Sequence, residues 1–221
     1  KLKSPSSTSA HWKNQSSELD MAPSFQGDNV RHAYDFLTGD GIVERSGGAL
    51  SSMSPQAASG LIGNWIVETG SDDLSQLDVI EENARKGRGI SQYTGARRGP
   101  YDAAREAAIN AGVDPNSMDW QLGYAIDEYM GKHDKNGNSL SGWTNSFQEV
   151  SGMNDVAGAA THLQQDFFRP SEPHLDRRIE AAQKTIFSSG CSSWYLDETG
   201  IPMTWPWSYQ DFADRSEEHT S

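Results

Sequence analysis

The chain has 221 residues, 18 Lys and Arg against 31 Asp and Glu, and a formal net charge of −13. That length suits one well-formed core with a small appendage, and the acidic balance argues against general nucleic-acid binding. With 35% hydrophobic residues and a mean hydropathy of −0.71, the sequence has no apolar run approaching the roughly 18 residues of a membrane span.

Residues 1–27 are rich in Ser, Lys and Pro without periodicity, and read as a disordered arm or linker. They start at Lys1 and show no signal-peptide pattern. A first helix fits 28–38, with Val30, Tyr34 and Leu37 on one face and Gly39-Asp40-Gly41 ending it. Residues 46–54 read as a flexible connection. Ser54-Pro55 then supplies the cap and first position of a second helix, which Gly70 stops. Its apolar residues Ala58, Leu61, Ile62, Trp65 and Ile66 fall at helical spacing, which predicts a half-buried helix.

From 71 to 95 the helical signal fades, and Gly87, Gly89 and Gly95 punctuate short segments that read as a small hairpin or irregular lobe. Helices return at 96–111 and at 115–131, the latter started by Asp114-Pro115 and striped by Met118, Leu122, Ala125, Ile126 and Tyr129. Two more fit 154–168, ending at Pro170, and 173–187, through Leu175, Ile179, Ala182 and Ile186. The expected fold class is α+β, mainly helical, with two lobes and a cleft between them over residues 28–189. Residues 190–214 are acidic and aromatic and read as a packed extension or linker. The last seven residues, from Arg215, match the in-frame translation of a common sequencing adapter, which implies a chain truncated during assembly.

Glu68 carries the most chemical information. At roughly 100° per residue it lies at the edge of the apolar stripe, in the last turn of its helix. There the negative end of the helix dipole and desolvation by Trp65 favour the neutral acid. A glutamic acid kept protonated near neutral pH is what glycoside cleavage needs as a proton donor. Further on, Gly89-Ile90-Ser91-Gln92-Tyr93-Thr94 joins a permissive glycine to an amide that both donates and accepts, and to an aromatic face with a hydroxyl. A neutral N-acetylated sugar calls for those groups. Arg85, Lys86, Arg88, Arg97 and Arg98 form a basic island, which suggests a surface meeting an anion or a neighbouring carboxylate.

Other chemistries find no support. The chain has no CxxC, HExxH or P-loop signature, and the lone Cys191 rules out an internal disulfide. The stretch from His133 to Asn138 begins like a calcium loop, but Ser139 stands where glycine is needed and Asn145 where the bidentate glutamate belongs. No metal and no cofactor are expected.

In order along the chain, Gly63 to Gly70 (G-N-x-x-x-E-T-G), Gly89 to Arg97, Gln121 to Tyr124, and Ala159 through Phe168-Arg169-Pro170 to Arg177-Arg178 and Ala181 resemble the phage tail lysozyme family. The resemblance covers about residues 28–187. It implies a lysozyme-like fold and cleavage of the β-1,4 bond between N-acetylmuramic acid and N-acetylglucosamine, with bacterial peptidoglycan as partner. It also implies other phage tail proteins as neighbours, with a site of action on the virion or outside the cytoplasm. The family's catalytic glutamate falls on Glu68 and its glycan-lining segment on Gln92 and Tyr93, and on this reading Arg97 is expected to orient a carboxylate or the peptide stem. Thr69 and Tyr93 depart from the usual serine and tryptophan. Asp72, Asp73, Asp78 and Glu81 are available as a second carboxylate, with Asp78 preferred because Val79-Ile80 after it could form a short strand. A separation of about 5 Å would favour a covalent route and about 6.5–9.5 Å a water between the pair. With no carboxylate opposite, a lytic transglycosylase route follows. A non-catalytic wall-binding module is the rival from another class, motivated by repulsion between an acidic protein and an anionic wall.

Overall fold

The computed structural model describes residues 27–78, 80, 87–132 and 147–189. The N-terminal arm, Glu81, Arg85, Lys86, the calcium-like loop and the aromatic tail lie outside the described residues. The described part is mainly helical. Helices α1 (Asp28–Thr38), α2 (Gly41–Ser46), α3 (Pro55–Thr69), α4 (Gly95–Asn110) and α5 (Met118–Tyr129) come first. Residues 147–151 (α6) follow, then α7 (Val156–Leu163), a π-helical turn (Gln164–Phe168) and α8 (Leu175–Ser188).

Local signals in the sequence account for most of these boundaries. Ser54 accepts a hydrogen bond from the Ala57 amide at 3.0 Å with Pro55 behind it, and Gly70 closes α3 in the left-handed conformation. Ser117 caps α5, three residues later than Asp114-Pro115 suggested, because residues 114–117 form a turn first. Asp155 caps α7 through both carboxylate oxygens, to the amides of Ala157 and Gly158. Three features differ from expectation. Gly41 begins α2 where the sequence suggested a break. The helix expected to run to 168 widens into a π turn over its last residues. The lobe after α3 is irregular, and its β content among the described residues is a single bridge between Ile80 and Arg88.

α3 is the central helix and packs against α8, α7 and α1. Ala57 to Ile66 are all buried, so α3 is enclosed on nearly every side, not half-buried. Small residues make this possible, and periodicity of large apolar residues does not register them. A Cβ added at Gly63 would lie 2.5 Å from the Ala182 amide nitrogen and 2.6 Å from the Arg178 carbonyl oxygen. Only glycine lets α8 approach this closely. Around α3 the core collects Val30, Leu37, Leu122, Ile126 and Phe167, and a second cluster of Tyr93, Tyr101 and Tyr124 packs beside it.

Candidate active site

Glu68 sits in the last turn of α3 with 15% of its side chain exposed, and its Oε1 accepts a hydrogen bond from Arg178 Nη2 at 2.7 Å. Arg178 is 2% exposed, and its other nitrogens are also engaged. Nη1 donates to Asn64 Oδ1 at 2.9 Å and Nε to the Pro173 carbonyl at 2.8 Å. Asn64 is fixed in turn, because its Nδ2 donates to the carbonyls of Gly60 and Ala160 at 2.9 and 3.0 Å. The Phe168 ring lies 5.7 Å from the guanidinium carbon. Glu68 is therefore held by a buried cation that three segments orient. The helix-end argument for a neutral acid did not include this guanidinium, whose contact favours the ionised carboxylate.

The 89–94 turn is docked against α3 and α5. Trp65, one helical turn before Glu68 on α3, donates from Nε1 to Ser91 Oγ at 3.1 Å. Gln121 Oε1 accepts from the Ile90 amide at 3.0 Å, while its Nε2 donates to Tyr101 Oη and the Pro115 carbonyl, both at 2.7 Å. Gly89 has φ 78° with the Tyr101 hydroxyl packed against its Cα, so no side chain fits there. Gln92 has φ 43°, a conformation that non-glycine residues adopt at a cost and that clusters at functional sites. Its Nε2 donates to the Gly89 carbonyl at 3.1 Å. Its Oε1 is buried and accepts no hydrogen bond among the described residues.

Tyr93 differs from its expected role. It is 0% exposed, stacked on Tyr101 with centroids 4.4 Å apart and edge-on to Tyr124. Its face is committed to protein, so it cannot stack on a sugar here; it supports the turn from beneath. Burial, and then the nearby Glu128 charge, push its phenol well above the ordinary tyrosine value, so it stays neutral. Thr69 is buried as well, and its hydroxyl donates to the Trp65 carbonyl at 2.8 Å and accepts from the Ser71 amide at 3.3 Å. A serine here would carry the same hydroxyl.

The basic island meets carboxylates at each of its described members. Arg97 forms a two-point pair with Glu128, at 2.7 and 2.8 Å, and lies 4.9 Å from both the Tyr93 and Phe167 centroids. Burial opposes the Arg97 charge, but Glu128 more than offsets it and holds the guanidinium protonated. Arg98 pairs with Asp102 at 2.7 Å. Asp78, 48% exposed, accepts from Arg88 and, at 2.9 Å, from Arg105. Glu68 is thus tied to α8 and Asp78 to α4.

Arg178, Asn64, Gln121, Glu128 and the Phe167-Phe168 pair were not singled out as individual site residues. The signal for the polar ones was present. Arg178 falls on the apolar face of α8 between Leu175 and Ala182, and Gln121 falls between Met118 and Ala125 on α5. A polar residue on a buried face has to find partners. The π turn sets Phe167 beneath Arg97 and Phe168 beneath Arg178, with the two rings edge to face at 4.9 Å. No backbone pattern in the sequence announces a π turn, though such turns recur at functional sites. Among the described residues no His, Cys, Asp and Glu cluster could hold a metal ion, and no helix is long and apolar enough to cross a membrane.

Compared with known proteins, residues 48–187 match the family model described as phage tail lysozyme. No curated protein and no solved structure matches the chain.

Proposed function

The chain belongs to the phage tail lysozyme family, and we propose that its peptidoglycan-degrading activity is muramidase cleavage with Glu68 as the proton donor. Protonated Glu68 would give its proton to the oxygen of the β-1,4 link between N-acetylmuramic acid and N-acetylglucosamine. As the C1–O bond breaks, positive charge develops on the muramic acid ring. Water then adds to C1 and its proton returns to a carboxylate, leaving a reducing end. Gln92 would hold an acetamido group once its Oε1, buried and without a hydrogen-bond partner among the described residues, is uncovered to meet the sugar's amide N–H. Family membership supports action from the phage particle on the bacterial wall.

The observation that carries this reading is the setting of Glu68. Its side chain stays 15% exposed at the end of a buried helix, while Arg178, itself held by Asn64, binds its Oε1. A second reading is favoured by Asp78, whose Oδ1 is taken up by Arg88 and Arg105. If Glu68 works without an opposing carboxylate, the C6 hydroxyl of the muramic acid attacks C1 and gives its proton to the Glu68 carboxylate. A 1,6-anhydro end forms and no water is consumed. Mass spectrometry of digested peptidoglycan separates the two, because hydrolysis products are one water heavier than anhydro products. Reducing ends support the muramidase reading, and anhydro ends replace it with the second.

A further inference from the structure

We propose that Arg178 is a positioning residue for Glu68: it fixes the direction of Oε1 and holds the carboxylate ionised in the free enzyme, which confines proton donation to acidic pH. This deepens the proposed function and rests on its assignment of Glu68 as the acid. The argument starts from the arginine. A cation that is 2% exposed needs a full set of acceptors. Arg178 has them in Glu68, Asn64 and Pro173. These acceptors come from the middle of α3, its last turn, and the segment before α8, so the guanidinium cannot swing without unfastening all three. Asn64 cannot present its amide the other way round, since that would lose both hydrogen bonds from its Nδ2.

The remaining charged groups around α3 are more weakly placed. On α1 they are Asp28, Arg31, His32 and Asp35, and on α7 His162. On α8 they are Asp176, Arg177, Glu180 and Lys184. Asp72 and Asp73 follow α3, Asp166 lies in the π turn, and Arg169, Glu172 and His174 precede α8. None of these is buried, so solvent and salt screen them. Arg178 combines direct contact with Glu68 and exclusion from water. Glu68 then has to take up a proton against this cation before it can protonate a leaving group, and kcat/KM falls as pH rises through that ionisation.

The test compares pH–rate profiles of peptidoglycan solubilisation for the wild type, Arg178→Gln and Arg178→Lys. Losing the charge should move the limb on which activity falls with rising pH upward by about one pH unit or more. Because the carboxylate loses its fixed direction, maximal kcat should also fall, by about tenfold or more. Arg178→Lys keeps the charge and should leave the limb in place while lowering kcat. A limb that stays put in Arg178→Gln, with activity lost only in step with stability, would overturn the proposal. If Arg178→Gln does not fold, carbon-13 NMR of the Glu68 carboxyl in the wild-type protein decides. Titration below the ordinary glutamate value of about 4.3 supports the hold, and titration at or above it overturns it. The same titration stands if Glu68→Gln retains activity, in which case the assignment of Glu68 as the acid fails and the hold is judged separately.

Discussion

Gly63→Ala tests the packing that puts Arg178 within reach of Glu68. The added methyl would lie 2.5 Å from the Ala182 nitrogen, 2.6 Å from the Arg178 carbonyl oxygen and 2.7 Å from the Ala182 Cβ. Ordinary carbon contacts are about 3.5–4.0 Å, so α3 and α8 must part by roughly 1 Å. Two of the three atoms are helix backbone and cannot swing aside. Overpacking of this kind costs about 1–3 kcal/mol, and the α3–α8 contact places this site at the upper end. Replacing glycine by alanine inside a helix returns about 1 kcal/mol. The net is a destabilisation of about 2 kcal/mol, or a Tm lower by roughly 4–8 °C for a domain of this size. Because the displaced backbone carries Arg178, peptidoglycan solubilisation should fall further than the stability loss explains at a temperature where the variant is folded. Thermal unfolding followed by circular dichroism, paired with the activity assay at 20 °C below the variant's Tm, reads both effects. A variant as stable as the wild type, with full activity, would refute the close approach of α3 and α8 and the role assigned to it.

Three further outcomes follow from the same geometry. Gln121→Leu leaves the Ile90 amide without its buried acceptor, while the Pro115 carbonyl keeps its hydrogen bond from Arg105, so urea unfolding should show a loss of about 1–3 kcal/mol. Tyr93→Phe should leave affinity for soluble glycan fragments within twofold of wild type, as titration calorimetry can establish, because the hydroxyl it removes is buried beneath the turn. Asp73 is held at about 2 by hydrogen bonds from the Ser75 and Ser71 side chains. Its folded value lies below the unfolded one of about 3.9, so its contribution is fully present above that value and is lost as pH falls through about 2. Asp73→Asn should therefore flatten the dependence of Tm on pH in that window while leaving Tm differences at pH 6 and pH 8 equal. The effect is small, because the group is close to solvent.

How much of this was legible in the sequence depended on the type of signal. The boundaries of α3 were readable because Ser54, Pro55 and Gly70 act within one helical turn. The helices at 28–38 and 173–187 were readable because large apolar residues recur at helical spacing. The irregular lobe followed from Gly87, Gly89 and Gly95, but its attachment did not, because Trp65–Ser91 and Gln121–Ile90 join residues far apart in sequence. Tyr93 shows why composition misleads about exposure: a tyrosine beside a glutamine fits a sugar site and an aromatic core equally well. The Arg178–Glu68 pair spans 110 positions. Its one trace in the sequence is an arginine on the apolar face of α8, in line with Leu175, Ala182 and Ile186. Such a residue has to find a carboxylate or carbonyls inside the fold, and that demand, rather than periodicity, points toward the site.

The most direct test compares soluble muropeptide release from purified peptidoglycan by the wild type and Glu68→Gln, at matched folding by circular dichroism and Tm. Loss of a general acid should lower the rate by about 100-fold or more while binding to insoluble peptidoglycan persists. Release within a few-fold of wild type would contradict Glu68 as the proton donor. Binding without product from either protein would mark the chain as a non-catalytic wall-binding module.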